Sequence, residues 1–104
     1  MDASYRVRLH PDARSDLASL DKGLQQRAGR QLSKLEGHPH AGEPLGHKAG
    51  YDLTGYRSLP FAGKRYRIVY RLDEEAKVVW VIAIGKKAKF EAYRLAAWRA
   101  DGEE

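Results

Sequence analysis

The chain contains no cysteine. That excludes a disulfide scaffold, a cysteine-ligated zinc site, an iron–sulfur cluster and a thiol nucleophile. It fits a reducing compartment, and the expected location is the cytoplasm. No stretch approaches the ~18 apolar residues of a membrane span, so no membrane partner is expected. The opening segment MDASYRVRLHPDAR has no apolar core of signal-peptide length. No glycine-rich loop of the phosphate-cradling kind occurs, and no acidic pair has a metal-binding spacing. His38-Pro39-His40 is a candidate metal pair, but the surrounding loop offers no third ligand at a telling spacing. Solvated loop histidines are the expectation, with no metal and no cofactor. Ser4, Ser15, Ser19, Ser33 and Ser58 have no nearby base, which argues against a Ser-His-Asp arrangement.

What is present is a basic chain of 104 residues with 42% hydrophobic and 10% aromatic content. That is too apolar for a disordered tail and suits one domain over residues 1–104, frayed at 101–104. The net charge of +5 is unevenly spread. Residues 57–89 carry nine Lys and Arg against Asp73, Glu74 and Glu75, whereas residues 90–104 are net acidic. A focused positive field suggests a polyanionic partner, nucleic acid first; the plainer reading is a solvated surface.

Along the chain, Tyr5, Val7 and Leu9 alternate with Arg6, Arg8 and His10, the period of a half-buried strand. His10-Pro11-Asp12 starts a helix, since Pro is tolerated in a first turn and Asp suits the positive end. Ala13, Leu17 and Leu20 form one apolar stripe, and Leu24, Ala28, Leu32 and Leu35 form a second. The break at Asp21-Lys22-Gly23 predicts an antiparallel helical hairpin. Residues 38–50 read as a loop. Residues 51–59 read as a strand bent at Gly55, residues 61–64 as a turn, and residues 65–72 as the next strand with Arg65, Arg67, Val69 and Arg71 on one face. Val78 to Ile84 is apolar enough for a central strand covered on both faces, ended by Gly85. Residues 86–100 have helical composition. Trp80 reads as core, and Trp98 as core or interface. The predicted class is α+β, ordered β-α-α-β-β-β-α: an N-terminal strand and helical hairpin packed on a curved antiparallel sheet.

One constellation could carry chemistry. Arg57, Arg67 and Lys87 lie on or just after successive strands, and Tyr93 follows six residues later. Neighbouring strands are ~4.8 Å apart, so these groups can converge on one concave face. Two guanidiniums, an ammonium and a phenol without a carboxylate suit a phosphodiester, where negative charge grows on oxygen during attack. From spacing alone, exposed strand arginines without chemistry remain the alternative.

The segments Asp52-Leu53-Thr54-Gly55-Tyr56-Arg57-Ser58-Leu59, Arg65-Tyr66-Arg67-Ile68-Val69-Tyr70 and Val81-Ile82-Ala83-Ile84-Gly85-Lys86-Lys87, with Glu91 and Tyr93, resemble the toxins of the RelE/ParE superfamily. The helical start, Leu9-His10-Pro11-Asp12-Ala13 with Asp16-Leu17 and Leu20, is similar too. The resemblance spans about Tyr5 to Arg99. It implies a RelE-like fold and a type II toxin acting as a metal-independent, ribosome-dependent mRNA endonuclease. The partners it implies are the ribosome with its mRNA and a cognate acidic antitoxin, bound as a toxin–antitoxin hetero-oligomer. By the same resemblance, Arg67 would stabilise phosphate charge, Lys87 would assist the leaving oxygen or the phosphate, and Tyr93 would stack on or orient the nucleotide. Arg57 falls near the first of two family lysines, and Leu59 stands where the second is expected. Lys64, Arg65, Lys86 and Lys89 are the expected RNA-binding rim. A ParE-like gyrase inhibitor and a non-catalytic basic RNA-binding module are the alternatives.

Overall fold

The computed structural model describes residues 4–102; the fraying expected at 103–104 lies outside the described residues, and Asp101 is still helical. The alternating N-terminal segment forms β1 (Arg6–Leu9). Pro11 then opens α1 (Pro11–Ala18), whose N-cap is His10: its Nδ1 accepts the Asp12 N–H at 3.0 Å. Asp21 caps α2 (Lys22–Gly37) by accepting the Leu24 N–H at 2.9 Å. The Gln25 side-chain amide donates to the carbonyls of Leu17, Ala18 and Leu20, so one residue of α2 satisfies the open end of α1. That fixes the helical hairpin.

The expected 38–50 loop contains two short strands, β2 (Glu43–Pro44) and β3 (His47–Lys48). The strand expected over 51–59 is split into β4 (Tyr51–Asp52) and β5 (Tyr56–Phe61). Asp52 causes the split: its Oδ1 accepts from the Thr54 N–H and from Thr54 Oγ1, closing a turn that Gly55 leaves at φ 92°. These hydrogen bonds also lower the Asp52 pKa. The following turn falls at 62–65, one residue later than expected, with Ala62, Gly63 and Lys64 all at positive φ. It leads into β6 (Tyr66–Asp73), and β7 (Val78–Lys86) follows.

The main sheet has the order β1-β7-β6-β5-β2. The pairs β5–β6 and β6–β7 are antiparallel, as expected, and the unexpected β2 adds a further antiparallel pair with β5, but β1 joins β7 in parallel. No hairpin links β1 to β7, so turn geometry does not force them antiparallel. A bulge at Ile82 bends β7: Val69 pairs with Ala83 while Tyr70 pairs with Val81.

Each face of the sheet carries its own apolar cluster. On one, Leu59, Phe61, Ile68, Tyr70, Val79, Val81 and Ile84 pack against Ala13, Ala28 and Leu35 of the hairpin, joined by Leu17, Leu20, Leu24 and Leu32. On the other, Val69, Ile82 and Ala83 pack against Ala92, Tyr93 and Ala96 of α3 (Glu91–Asp101). β7 is thus covered on both sides, as its unbroken apolar run predicts. Trp80 is half-buried, and Trp98 is 78% exposed, so it is not core.

The helix expected from Lys86 begins only at Glu91. The ladder continues past Gly85, with Lys86 opposite Tyr66 and the Lys87 N–H donating to the Arg65 carbonyl. A 3-10 turn over Ala88–Phe90 follows, with Lys89 and Phe90 in the left-handed region. That reversal returns α3 across the sheet. Gly85 makes room for it: a Cβ there would stand 3.1 Å from Glu91 Oε2 and 3.4 Å from the Ala92 backbone.

Candidate functional site

Strand alternation decides which residues can meet. On β6, Tyr66, Ile68, Tyr70 and Leu72 belong to the hairpin-side cluster, which turns Arg67 and Val69 towards α3. There the Arg67 Nε donates to Tyr93 Oη at 3.3 Å. Tyr93 Oη also lies 3.4 Å from Ser58 Oγ, a polar side chain only 2% exposed. The Arg67 Nη1 donates to the Lys64 carbonyl at 3.1 Å. The guanidinium is therefore held by three elements: β6 carries it, α3 supplies the phenol and the β5–β6 turn supplies a carbonyl.

Tyr93 is 4% exposed and packed in the α3 cluster, with the Phe90 ring 6.4 Å away. A ring so buried does not stack on a nucleotide in this conformation; its hydroxyl orients Arg67 instead. Around the end of the sheet, the exposed Lys64, Arg65, Lys86 and Lys87 line an open cleft of about 410 Å³ together with Tyr66 and Ala88. Lys89 is exposed on the adjoining turn. The sequence reading left this region without a carboxylate. Glu91 supplies one over Gly85, the register partner of Arg67, where its Oε2 accepts the Lys86 N–H at 3.3 Å.

Arg57 is not brought to this cluster. Its neighbours Leu59 and Phe61 belong to the hairpin side, and Arg57 turns the same way. Its Nη1 donates to the carbonyls of Gly42 (2.8 Å) and His40 (3.3 Å). That clamps the loop after α2, which Tyr70 also holds: Tyr70 Oη donates to the Pro39 carbonyl and accepts the Gly42 N–H, both at 2.8 Å. Leu59 is 4% exposed in the hairpin-side core, not at the site. The β5 residues that share the face of Arg67 are Tyr56, Ser58 and Pro60, and Pro60 is its register neighbour. Reading β5 one residue out of phase put both candidates on the wrong side.

Two further features were missed. Ser58 gave no signal without the register. The second is the anchor of α3. Arg99 forms a fork on Asp16, with Nη1 to Oδ2 at 2.7 Å and Nη2 to Oδ1 at 3.1 Å, and donates to the Ile82 carbonyl at 3.0 Å. Asp16 Oδ2 also accepts the Ile84 N–H at 2.9 Å. β1 ends at Leu9, opposite Val81, so these side chains take over the strand edge that β1 leaves open. A signal existed: Asp16 stands three residues after Ala13 and four before Leu20, on the apolar stripe of α1.

The family model described as the ParE toxin of the type II toxin–antitoxin system parDE matches residues 7–89. A protein of Escherichia coli described as a RelE-like toxin is 29% identical over 95 residues, covering 91% of this chain and 96% of that one. Among solved structures, a mutant of the E. coli toxin RelE in the free state superposes with a TM-score of 0.74. It is 22% identical, over 92% of this chain and 97% of that one. The RelBE2 toxin–antitoxin complex of Mycobacterium tuberculosis gives 0.67 at 28% identity, over 81% and 99%. A RelE mutant in complex with an antitoxin RelBc peptide gives 0.65 at 22% identity, over 88% and 93%.

Proposed function

The chain belongs to the RelE/ParE family of type II toxin–antitoxin toxins and is RelE-like, and from that membership we propose that it is a metal-independent endonuclease of ribosome-bound mRNA. The observation that carries this reading is the Arg67 guanidinium, fixed by Tyr93 Oη beside a cleft lined with cations. In cleavage, the mRNA 2′-oxygen attacks the adjacent phosphorus and the 5′-oxygen departs, leaving a 2′,3′-cyclic phosphate. Negative charge builds on the non-bridging oxygens, and Arg67 offsets it from a position that needs no reorganisation. Lys87 gives a proton to the departing 5′-oxygen. The Glu91 carboxylate over Gly85 is the acceptor we assign to the 2′-hydroxyl proton. Lys64, Arg65, Lys86 and Lys89 hold the flanking phosphates. The partner that silences the toxin is an antitoxin, the kind of protein that the RelBE2 toxin–antitoxin complex contains and that RelE binds as the RelBc peptide.

A gyrase-directed reading has one observation in its favour: β5 contributes the uncharged Ser58 and Pro60 to the face of Arg67. Purified protein separates the two. The nuclease reading expects cleavage within the codons of mRNA on stalled ribosomes, with gyrase supercoiling untouched. Gyrase inhibition with intact mRNA overturns it.

A further inference from the structure

The basic cleft does not end at the β5–β6 turn. Arg65 and Tyr66 also line a second open cleft of about 390 Å³, whose far wall is Gly23, Leu24 and Arg27 of α2. Arg27 in turn lines a third, of about 300 Å³, with Arg30 and the turn residues Ala62 and Gly63. The three depressions share residues and run in sequence around the end of the sheet to the helical hairpin. Arg27 and Arg30 are exposed and three apart on one helix. That sets their Cβ atoms ~5–6 Å apart on one face, roughly the step between successive phosphates. The carboxylate bordering this path, Asp21, already accepts the Leu24 N–H. The floor is rigid, because the Gln31 side chain donates to the Pro60 carbonyl at 2.8 Å and ties α2 to β5 beside the turn.

We propose that a single RNA strand follows this path, with one segment in the Lys64–Lys87 cleft beside Arg67 and its continuation crossing Tyr66 to lie on Arg27 and Arg30. The proposal rests on the nuclease reading and extends its substrate contacts to a helix on the opposite side of the sheet. Tyr66, half-buried with its ring 5.3 Å from that of Phe61, is the aromatic at the crossing point. Charge complementarity and strand-like spacing, without a base-reading surface, make the contact independent of sequence.

The test uses an unstructured 2′-O-methyl RNA of about 20 nucleotides, which 2′-oxygen attack cannot cleave and which exceeds one groove's site size of ~4–16 nucleotides. Affinity is measured as a function of salt. Arg27→Gln/Arg30→Gln keeps good helix formers at exposed positions, so the fold is retained, as circular dichroism verifies. Two lost phosphate contacts lower the slope of log K against log salt by about 1.4 and weaken binding about 25-fold at 0.1 M salt. A control pair, Arg8→Gln/Arg14→Gln, removes the same charge from exposed positions outside the three clefts and has a much smaller effect. Equal losses in both pairs, or none in the α2 pair, overturn the path; if ribosome-bound mRNA is still cleaved, the nuclease reading stands without it. DNA of the same sequence carries the same phosphates and shows the same loss in the α2 pair; a loss confined to the RNA overturns a contact made through phosphates alone. Wild-type protein that neither binds the RNA nor cleaves mRNA overturns both readings.

Discussion

Removing the Arg99 side chain tests how α3 is held. Arg99 and Asp16 are 13% and 14% exposed, so their pair is largely shielded from water and salt. Arg99→Ala deletes two charge-assisted hydrogen bonds to Asp16 and one to the Ile82 carbonyl. It leaves a mostly buried carboxylate with the Ile84 N–H as its remaining bond described above, and a carbonyl at the bulge without the guanidinium. Breaking one side of a buried pair costs about 3–5 kcal/mol, and the residual exposure argues for the lower end. A loss of about 3 kcal/mol corresponds to a fall in Tm of roughly 12–24 °C for a domain of this size. Arg99→Lys keeps the charge but cannot form the fork, so an intermediate loss is expected. Thermal and urea unfolding of both variants, with Asp16→Asn completing a double-mutant cycle, gives the coupling directly. The loss persists at high salt. By contrast, the exposed His40–Glu74 contact, at 3.3 Å, contributes within ~1 kcal/mol. An Arg99→Ala protein within ~0.5 kcal/mol of the parent, the range of ordinary surface changes, refutes this assignment.

Glycine substitutions should separate by environment. In Gly42→Ala the new Cβ would meet Tyr70 Oη at 2.5 Å and its ring at 2.8 Å, displacing a buried residue at a cost of about 1–3 kcal/mol. Gly29→Ala, inside α2 with nothing within 4 Å, should gain about 0.5–1 kcal/mol in the same denaturation assay. Burial raises the Tyr70 pKa above its usual 10. The folded state therefore holds the phenolic proton more tightly, and stability falls as pH rises from about 10 through the raised value. Tyr70→Phe should flatten that alkaline slope in urea titrations, and an unchanged slope assigns it elsewhere. Leu59→Lys should unfold the protein by burying an ammonium in the hairpin-side core, whereas Pro60→Lys puts a cation opposite Arg67 and should raise cleavage. A folded, more active Leu59→Lys protein would contradict the face assignment.

The helical hairpin was legible because both apolar stripes and their breaker lie in consecutive residues, and every stripe position packs in the hairpin-side cluster. β7 was legible from its apolar run. The phase of β5 was not. Asp52 and Gly55 end one short strand and start another, and whether Arg57 or Ser58 meets Arg67 depends on a register fixed by the β5–β6 turn. Arg67 and Tyr93 could be picked out singly, but their contact joins residues 26 apart and depends on the left-handed reversal at Lys89 and Phe90. The Asp16–Arg99 fork spans 83 residues, beyond any local pattern.

The most direct test of the proposed activity is cleavage of ribosome-bound mRNA by the wild-type protein, Arg67→Ala and Tyr93→Phe, each shown to be folded. Primer extension on stalled ribosomes reads the cut sites and their rates. Loss of a fixed positive charge at the developing oxyanion predicts a fall of about 10²–10³ in rate for Arg67→Ala. Tyr93→Phe keeps the buried ring and removes one of the bonds that orient the guanidinium, leaving the one to the Lys64 carbonyl, so a smaller fall is expected. A folded Arg67→Ala protein that cleaves at the parental rate would contradict the assignment of this site.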